Sequence, residues 1–335
     1  MGTPASVVAG VDFGDAEFAA TVRQGVARVE ELMEAELRGS DEVMTESLLH
    51  LFKAGGKRFR PLFTVLAAHT GPNPVNPDVT LAGAIVELIH LATLYHDDVM
   101  DEADVRRGAP SVNARWGNNV AILAGDYLLA TSSRLVSRLG PGAVRIVAET
   151  FAELVTGQMR ETQGVPEGVD GIEQYLTVVH EKTGSLIGAA GRFGAMFSGA
   201  GAEQVDRLSR LGAVVGTAFQ IADDIIDIDS DSDESGKVPG TDLREGVHTL
   251  PMLYALRENG SDAVRLRELL AGPLHDDALV LEALTLLRAS RGLIRAKETL
   301  ARYAARAHDE VNLLPDGPGR NALQALVDYT VRRHG

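Results

Sequence analysis

The sequence predicts an all-α protein folded as a single-domain helical bundle. Three observations lead there. Apolar residues recur at spacings of three and four along most of the chain, the period of a helix with one buried face. Alternating valine-rich stretches bounded by turn pairs are scarce, so there is little from which to build strands. Interruptions between periodic stretches are short and rich in Gly and Pro, with no linker and no repeat of 20–50 residues. Helices are expected near 15–38, 42–53, 59–70, 78–103, 111–138, 141–163, 171–200 (broken around 188–191), 203–229, 249–258, 261–271, 276–289, 291–312 and 318–333. Breaks are marked in turn by Gly71-Pro72-Asn73-Pro74, Gly108-Ala109-Pro110, Gly140-Pro141-Gly142 and Asp316-Gly317-Pro318-Gly319. The last helix ends in Arg332 and Arg333, which suit a helix C-terminus.

Composition narrows the function. The chain has 335 residues, 45% hydrophobic and 24% charged, enough to bury a large core. It has no cysteine, which excludes disulfides, thiolate metal sites and a cysteine nucleophile. With 32 Lys and Arg against 47 Asp and Glu, the formal charge is −15. That argues against nucleic acid as a partner, though not against an anion held by a local basic site. No run reaches the roughly 18 apolar residues of a membrane span; the most apolar stretch, Leu81 to Tyr95, contains Glu87 and His90. The first residues lack the basic start of a secretory signal, so a cytoplasmic protein is expected.

Two acidic motifs carry the chemistry. Asp97-Asp98-Val99-Met100-Asp101 and Asp223-Asp224-Ile225-Ile226-Asp227 are both D-D-x-x-D. Aspartates four apart share a helix face and repel each other without a counterion. Oxygen pairs of this kind suit Mg²⁺, which takes one or two carboxylates and completes its shell with water and phosphate. One such motif alone would read as a solvated acidic helix end. Two copies, each closing an otherwise apolar helix, read as a metal site. Beneath them run Val86, His90 and Thr93 on one helix and Gly212, Gly216 and Gln220 on the other. Those stripes fit either close helix packing or an apolar channel. Basic residues lie nearby in sequence. Lys57 and Arg60 flank the turn of Gly55-Gly56-Lys57-Arg58-Phe59-Arg60-Pro61, Arg106-Arg107 follow the first motif, and Lys182-Thr183-Gly184 interrupts an apolar helix. Such cations hold diphosphate through charge-assisted hydrogen bonds. Taken alone, Lys182 reads as a snorkelling side chain. The stretch 236–251 reads as a flexible lid that delivers Lys237.

Together GGKRFRP (55–61), ELIHLATLYHDDVMDEADVRRG (87–108), EKTG (181–184), GTAFQIADDIID (216–227) and GKVPGTDLREGVHTLP (236–251) resemble the all-trans polyprenyl diphosphate synthases of the class I isoprenyl diphosphate synthase family. The resemblance implies a helical bundle around a deep central cavity, one domain over 1–335 with 1–14 as a flexible N-terminus, and a homodimer. It implies about three Mg²⁺ ions, in keeping with shared phosphate ligation. Asp97, Asp101 and Asp223 would be the chief ligands, with Asp98, Asp224 and Asp227 supporting. Lys57, Arg60, His90 and Arg107 match the isopentenyl diphosphate site. Arg106, Lys182, Thr183, Gln220 and Lys237 match the side that takes the allylic diphosphate, farnesyl or geranylgeranyl, and its ionisation. Ala92 and Thr93 occupy the positions that floor the product channel in such enzymes. Both are small, so the expected product is a long polyprenyl chain of the quinone side-chain class, with transient membrane contact for its release. A short-chain geranylgeranyl-type synthase and a subunit of a heteromeric synthase are the alternatives. A class I terpene cyclase would not carry a second D-D-x-x-D. A di-iron carboxylate bundle needs two helical Glu-x-x-His pairs; Glu87-x-x-His90 qualifies, but Glu245-x-x-His248 reads as loop.

Overall fold

The computed structural model of the protein describes residues 5–38, 42–229 and 239–332. Helices dominate, and among the described residues the strands form only two two-stranded hairpins. β1 (Val7–Val8) pairs with β2 (Val11–Asp12), burying Val8 and Val11, and Arg23 donates to the carbonyls of Ala5 and Val7 at 2.8 and 3.2 Å. The helices follow as α1 (Ala16–Arg38), α2 (Glu42–Lys53), α3 (Phe59–Ala68), α4 (Pro77–Met100), α5 (Val112–Trp116), α6 (Asn118–Val136), α7 (Pro141–Gln163), α8 (Gly171–Val179), α9 (Ser185–Phe197), α10 (Ala202–Asp229), α11 (Thr241–Glu245), α12 (Leu250–Ala255), α13 (Ser261–Leu269), α14 (Asp277–Ala289), α15 (Arg291–Asn312) and α16 (Pro318–Arg332). The second hairpin, β3 (Val105–Arg106) with β4 (Ala109–Pro110), lies between α4 and α5.

The chain groups into two compact units. One comprises Met1–Ala152, Leu186–Gly212 and Asn312–Ala325; the other Glu153–Ser185, Ala213–Val311 and Leu326–Gly335. Every boundary falls inside a helix. In the first unit α4 is the centre, packed on α1, α3 and α6. Its start follows from its sequence. Asn76 accepts a hydrogen bond from the backbone N–H of Asp78 at 3.0 Å, and Pro77 fills the first turn, where its missing N–H costs nothing. Apolar residues then surround α4 on nearly all sides, and a helix hydrophobic all round must be buried. Against the expectation that no run reaches a membrane span, α4 is long and apolar enough to cross one, but most of it is buried inside the unit. In the second unit one core gathers Ile228, Leu243, Met252, Leu266, Val280 and Leu287. A second gathers Ile221, Ile225, Leu250, Tyr254, Leu293 and Leu300, with the Tyr254 hydroxyl 2.9 Å from Thr299 Oγ1.

Several expected elements differ. The helices expected over 78–103 and 249–258 stop at Met100 and Ala255. The helix expected over 59–70 stops at Ala68. The helix expected over 111–138 is split at Gly117, whose φ is 87°. The break expected around 188–191 is absent, and the helix is interrupted earlier, by a π-helical turn over His180–Gly184. The glycines that suggested that break serve contact instead. A Cβ on Gly191 would stand 2.3 Å from the Leu208 carbonyl oxygen, and one on Gly212 would stand 2.4 Å from that of Ile187. At Gly212 close packing is therefore the correct reading of the small-residue stripe. We expect Gly191→Ala and Gly212→Ala each to destabilise the fold by about 1–3 kcal/mol through forced backbone separation. Urea midpoints of the variants against the parent measure this.

Candidate active site

The first acidic motif closes α4. Asp101 caps the helix, and its last turn holds no basic residue. A helix C-terminus already carries partial negative charge, so aspartates there demand a cation. Asp97 is half-buried, Asp98 fully buried and Asp101 exposed. Arg106 answers part of the demand, its Nε lying 2.5 Å from Asp98 Oδ1. Asp98 Oδ2 is buried without a partner. Burial holds the Asp98 carboxyl above the usual range, with Arg106 opposing. The β3–β4 hairpin aims Arg106. Its two-residue turn, Arg107-Gly108, has φ of 54° and 72°, the sign a tight hairpin with native twist requires.

The turn also directs Arg107 into a basic cradle. Arg107 Nη1 donates to the carbonyls of Gly55 and Leu51 at 2.6 and 3.1 Å. Gly56 permits this approach, since a Cβ there would lie 3.0 Å from the Arg107 guanidinium carbon. Lys57 is exposed on the same loop. Arg60 is half-buried on the first turn of α3, and its Nε is buried without a partner. Burial pushes the Arg60 guanidinium down to about 10, so it stays charged at neutral pH. His90 stands on α4, half-buried. Burial, then the charges of Arg60, Arg107, Arg106 and Arg58, hold its imidazole well below the ordinary histidine range. It is a neutral imidazole among cations. The two expected floor residues separate here. Thr93 is half-buried on the face that carries His90 and Asp97, and its hydroxyl donates to the His90 carbonyl at 2.9 Å. Ala92 is fully buried on another face.

The second unit holds the rest. Asp223 and Asp227 are half-buried near the C-terminus of α10, which also lacks a basic last turn. Asp224 is buried with both oxygens engaged: Gln220 Nε2 donates to Oδ1 at 3.0 Å, and the Tyr175 hydroxyl of α8 donates to Oδ2. Burial pushes the Asp224 carboxyl up to about 7 against these two donors. Asp227 accepts from the backbone N–H groups of Thr241 and Asp242, both at 3.1 Å, and so caps α11. Lys182 is ion-paired with Glu161 rather than snorkelling to solvent, and Arg160 pairs with Glu181 at 3.1 Å. Lys182 and half-buried Thr183 sit on the π-helical turn, a rare geometry that recurs at functional sites. Gly184 lets that turn lie on α10, since a Cβ would stand 2.9 Å from the Ala213 carbonyl oxygen. Lys237 lies outside the described residues, as does most of the lid; the described remainder begins as α11. His248 sits in the loop after α11, 2.8 Å from the Leu270 carbonyl, so no second helical Glu-x-x-His forms there.

Sequence reasoning missed Arg58, Glu87, Tyr175 and Glu161. Glu87 carried a usable signal, a lone acid in an apolar run; Tyr175 carried none. Among the described residues no three acidic or histidine side chains converge as a ready-made metal cage. Mg²⁺ does not need one, because it binds through one or two carboxylates plus phosphate oxygens. The all-oxygen donors and the partnerless buried Oδ2 of Asp98 fit such an ion.

His90 gives a pH test. The unfolded chain takes up a proton at an ordinary histidine below about pH 6.5, and the folded protein resists it. Stability is therefore lost as pH falls below that value. His90→Gln should flatten the loss between about pH 7.5 and 5.5, read from denaturant midpoints.

A family model described as Polyprenyl synthetase matches residues 41–287. The chain is 77% identical over 335 residues, the whole of both chains, to a nonaprenyl diphosphate synthase of Mycobacterium tuberculosis. It is 56% identical over 97% of its length and 99% of the relative's to a dimethylallyltranstransferase of the same organism. Its fold is similar to a geranylgeranyl pyrophosphate synthase of Corynebacterium glutamicum solved with calcium and isoprenyl diphosphate, with a TM-score of 0.88, 51% identity and coverage of 97% of this chain and 100% of that one.

Proposed function

The chain belongs to the polyprenyl synthetase family and is a prenyltransferase, and from that premise we propose that it extends an allylic diphosphate with isopentenyl diphosphate into a long all-trans polyprenyl diphosphate. The observation that carries the reading is a pair of buried, partnerless atoms of opposite character in one unit. Arg60 Nε wants an anion, and Asp98 Oδ2 wants a cation. A metal–diphosphate satisfies both.

Each group of residues has a task in this reaction. Lys57, Arg60, His90 and Arg107 hold the diphosphate of the isopentenyl substrate. His90, neutral, binds it as a hydrogen-bond donor without adding charge. Arg106, Lys182, Thr183, Gln220 and Lys237 hold the allylic diphosphate and stabilise it as it departs. Asp97, Asp101 and Asp223 would hold Mg²⁺, about three ions in all, which supply positive charge to the leaving diphosphate. Asp98, Asp224 and Asp227 support them: Asp98 is held through Oδ1 by Arg106 and leaves Oδ2 for the ion, while Asp224 is held by Tyr175 and Gln220 and Asp227 by the α11 backbone. Glu161 would release Lys182 when substrate arrives. The double bond of the isopentenyl group then attacks the allylic C1, and a proton is lost to the released diphosphate.

Support for a long product is the full-length similarity to a nonaprenyl diphosphate synthase and the small side chain of Thr93 on the face shared with His90 and Asp97. We further propose one catalytic domain, a cytoplasmic location with transient membrane contact at product release, and a homodimer. Ile122 and Leu123 of α6 and Val144 of α7 are exposed large apolar residues of the kind a partner copy covers.

The test incubates the protein with Mg²⁺, farnesyl diphosphate and isopentenyl diphosphate and sizes the products by mass spectrometry. Products well beyond C20 are expected. A stop at C20 would favour a short-chain synthase, and no elongation would favour a subunit that needs a partner. Chelation by EDTA should abolish elongation. Thr93→Phe should shorten the product, whereas Ala92→Phe should chiefly destabilise the fold, by about 1–3 kcal/mol, because it overpacks a fully buried position.

A further inference from the structure

Arg58 stands in sequence between Lys57 and Arg60, yet it points the other way. Its side chain is 8% exposed, while Lys57 is exposed and Arg60 half-buried. Its backbone is left-handed, with φ 48° and ψ 40°. An arginine adopts that conformation only when its surroundings compel it, and such strain gathers at functional sites. Arg107, with φ 54°, is strained in the same way on the facing hairpin.

The guanidinium explains the strain. Nε donates to Glu30 Oε1 of α1 at 2.7 Å. Nη2 donates to the Phe52 carbonyl at the end of α2 at 2.6 Å, and Nη1 to the Gly55 carbonyl at 3.2 Å. Glu87 Oε1 of α4, 2% exposed, lies 3.6 Å from Nη1. The guanidinium carbon sits 4.7 Å from the Phe52 ring centroid. One planar fork thus joins α1, the end of α2, the glycine turn and α4. The Gly55 carbonyl that receives Arg58 also receives Arg107 Nη1, at 2.6 Å. Arg58 therefore fixes the acceptor that fixes Arg107, and it fixes the backbone from which Lys57 and Arg60 project. The partnerless Nε of Arg60 shows that the cradle is shaped for something the chain itself does not supply.

We propose that Arg58 is the positioning residue of this cradle, acting with Glu30 and Glu87 to set Lys57, Arg60 and Arg107 for the diphosphate of the non-allylic substrate. The inference rests on the function proposed above. It separates two kinds of arginine in one short motif, those that touch the anion and one that touches only protein.

Arg58→Lys is the deciding variant because it keeps the charge. The field on the bound anion is nearly unchanged, and only the planar fork is lost. The expected result is a rise of at least about tenfold in KM for isopentenyl diphosphate, from misplaced ligating groups, with KM for farnesyl diphosphate within about twofold. A general structural role would move both constants together, and that result, or no change in either, overturns the proposal. Glu30→Gln removes one contact at the rim and keeps Arg58; it should raise the same constant by a smaller factor, and it reads the proposal if Arg58→Lys does not fold. Should the parent protein make no prenyl product, the proposed function fails, and Arg58 is read instead by calorimetric titration with inorganic diphosphate in EDTA. Binding at least about tenfold weaker in Arg58→Lys supports the positioning role, and equal binding overturns it.

Discussion

Negative charge is concentrated where helices can least bear it. α4 and α10 both end in clustered aspartates, at the pole where the backbone dipoles are already negative, and neither has a basic residue in its last turn. Much of the surrounding architecture follows from that constraint. Arg106 is brought back by a tight hairpin to neutralise Asp98. Tyr175 and Gln220 use up both oxygens of Asp224. Asp227 is spent on the start of α11, and Lys297 answers Asp229 at 2.6 Å. These devices partly satisfy the supporting carboxylates.

The basic side follows the same economy in reverse. Three arginines, Arg60, Arg58 and Arg107, gather around one buried carboxylate, Glu87, and the same three with Arg106 surround His90. Burial raises the Glu87 carboxyl, while the charges of Arg60, Arg58 and Arg107 draw it down. A buried charge is tolerable only when paired and hydrogen-bonded. The pairing here is incomplete by one anion, since Arg60 keeps a partnerless nitrogen. A buried donor left without a partner costs stability, and in the proposed function the substrate anion supplies that partner.

Most of the helices were legible from periodicity and punctuation, because a chain with so few strand signals has little else to form. α1, α2 and α7 start and stop within a residue of expectation. The acidic pairs and basic clusters were legible too, because their chemistry is carried by residue type and local spacing. What stayed hidden depends on backbone direction. Arg58 looks like its neighbours in sequence, and only its left-handed φ turns it inward. Tyr175 meets Asp224 across 49 residues, a contact no local pattern encodes. The π-helical turn hides for the opposite reason: its residues, His180 to Gly184, are ordinary helix formers followed by a glycine, and nothing in them marks a widened turn.

That turn bears on how this chain can change in length. Its closing bond runs from the Ser185 N–H to the His180 carbonyl, one residue wider than an α-helical turn. A π turn is in effect one residue inserted into an α-helix. Losing a single residue between 180 and 184 would restore an unbroken helix through α8 and α9, with every downstream contact still able to keep its register. The same loss at almost any other helical position would rotate one side of the helix by about 100° and scramble its packing. The segment that bears Lys182 and Thr183 is thus a place where a one-residue deletion keeps the helix register while redirecting those two side chains, so chain length and local geometry can change there without cost to the rest of the fold.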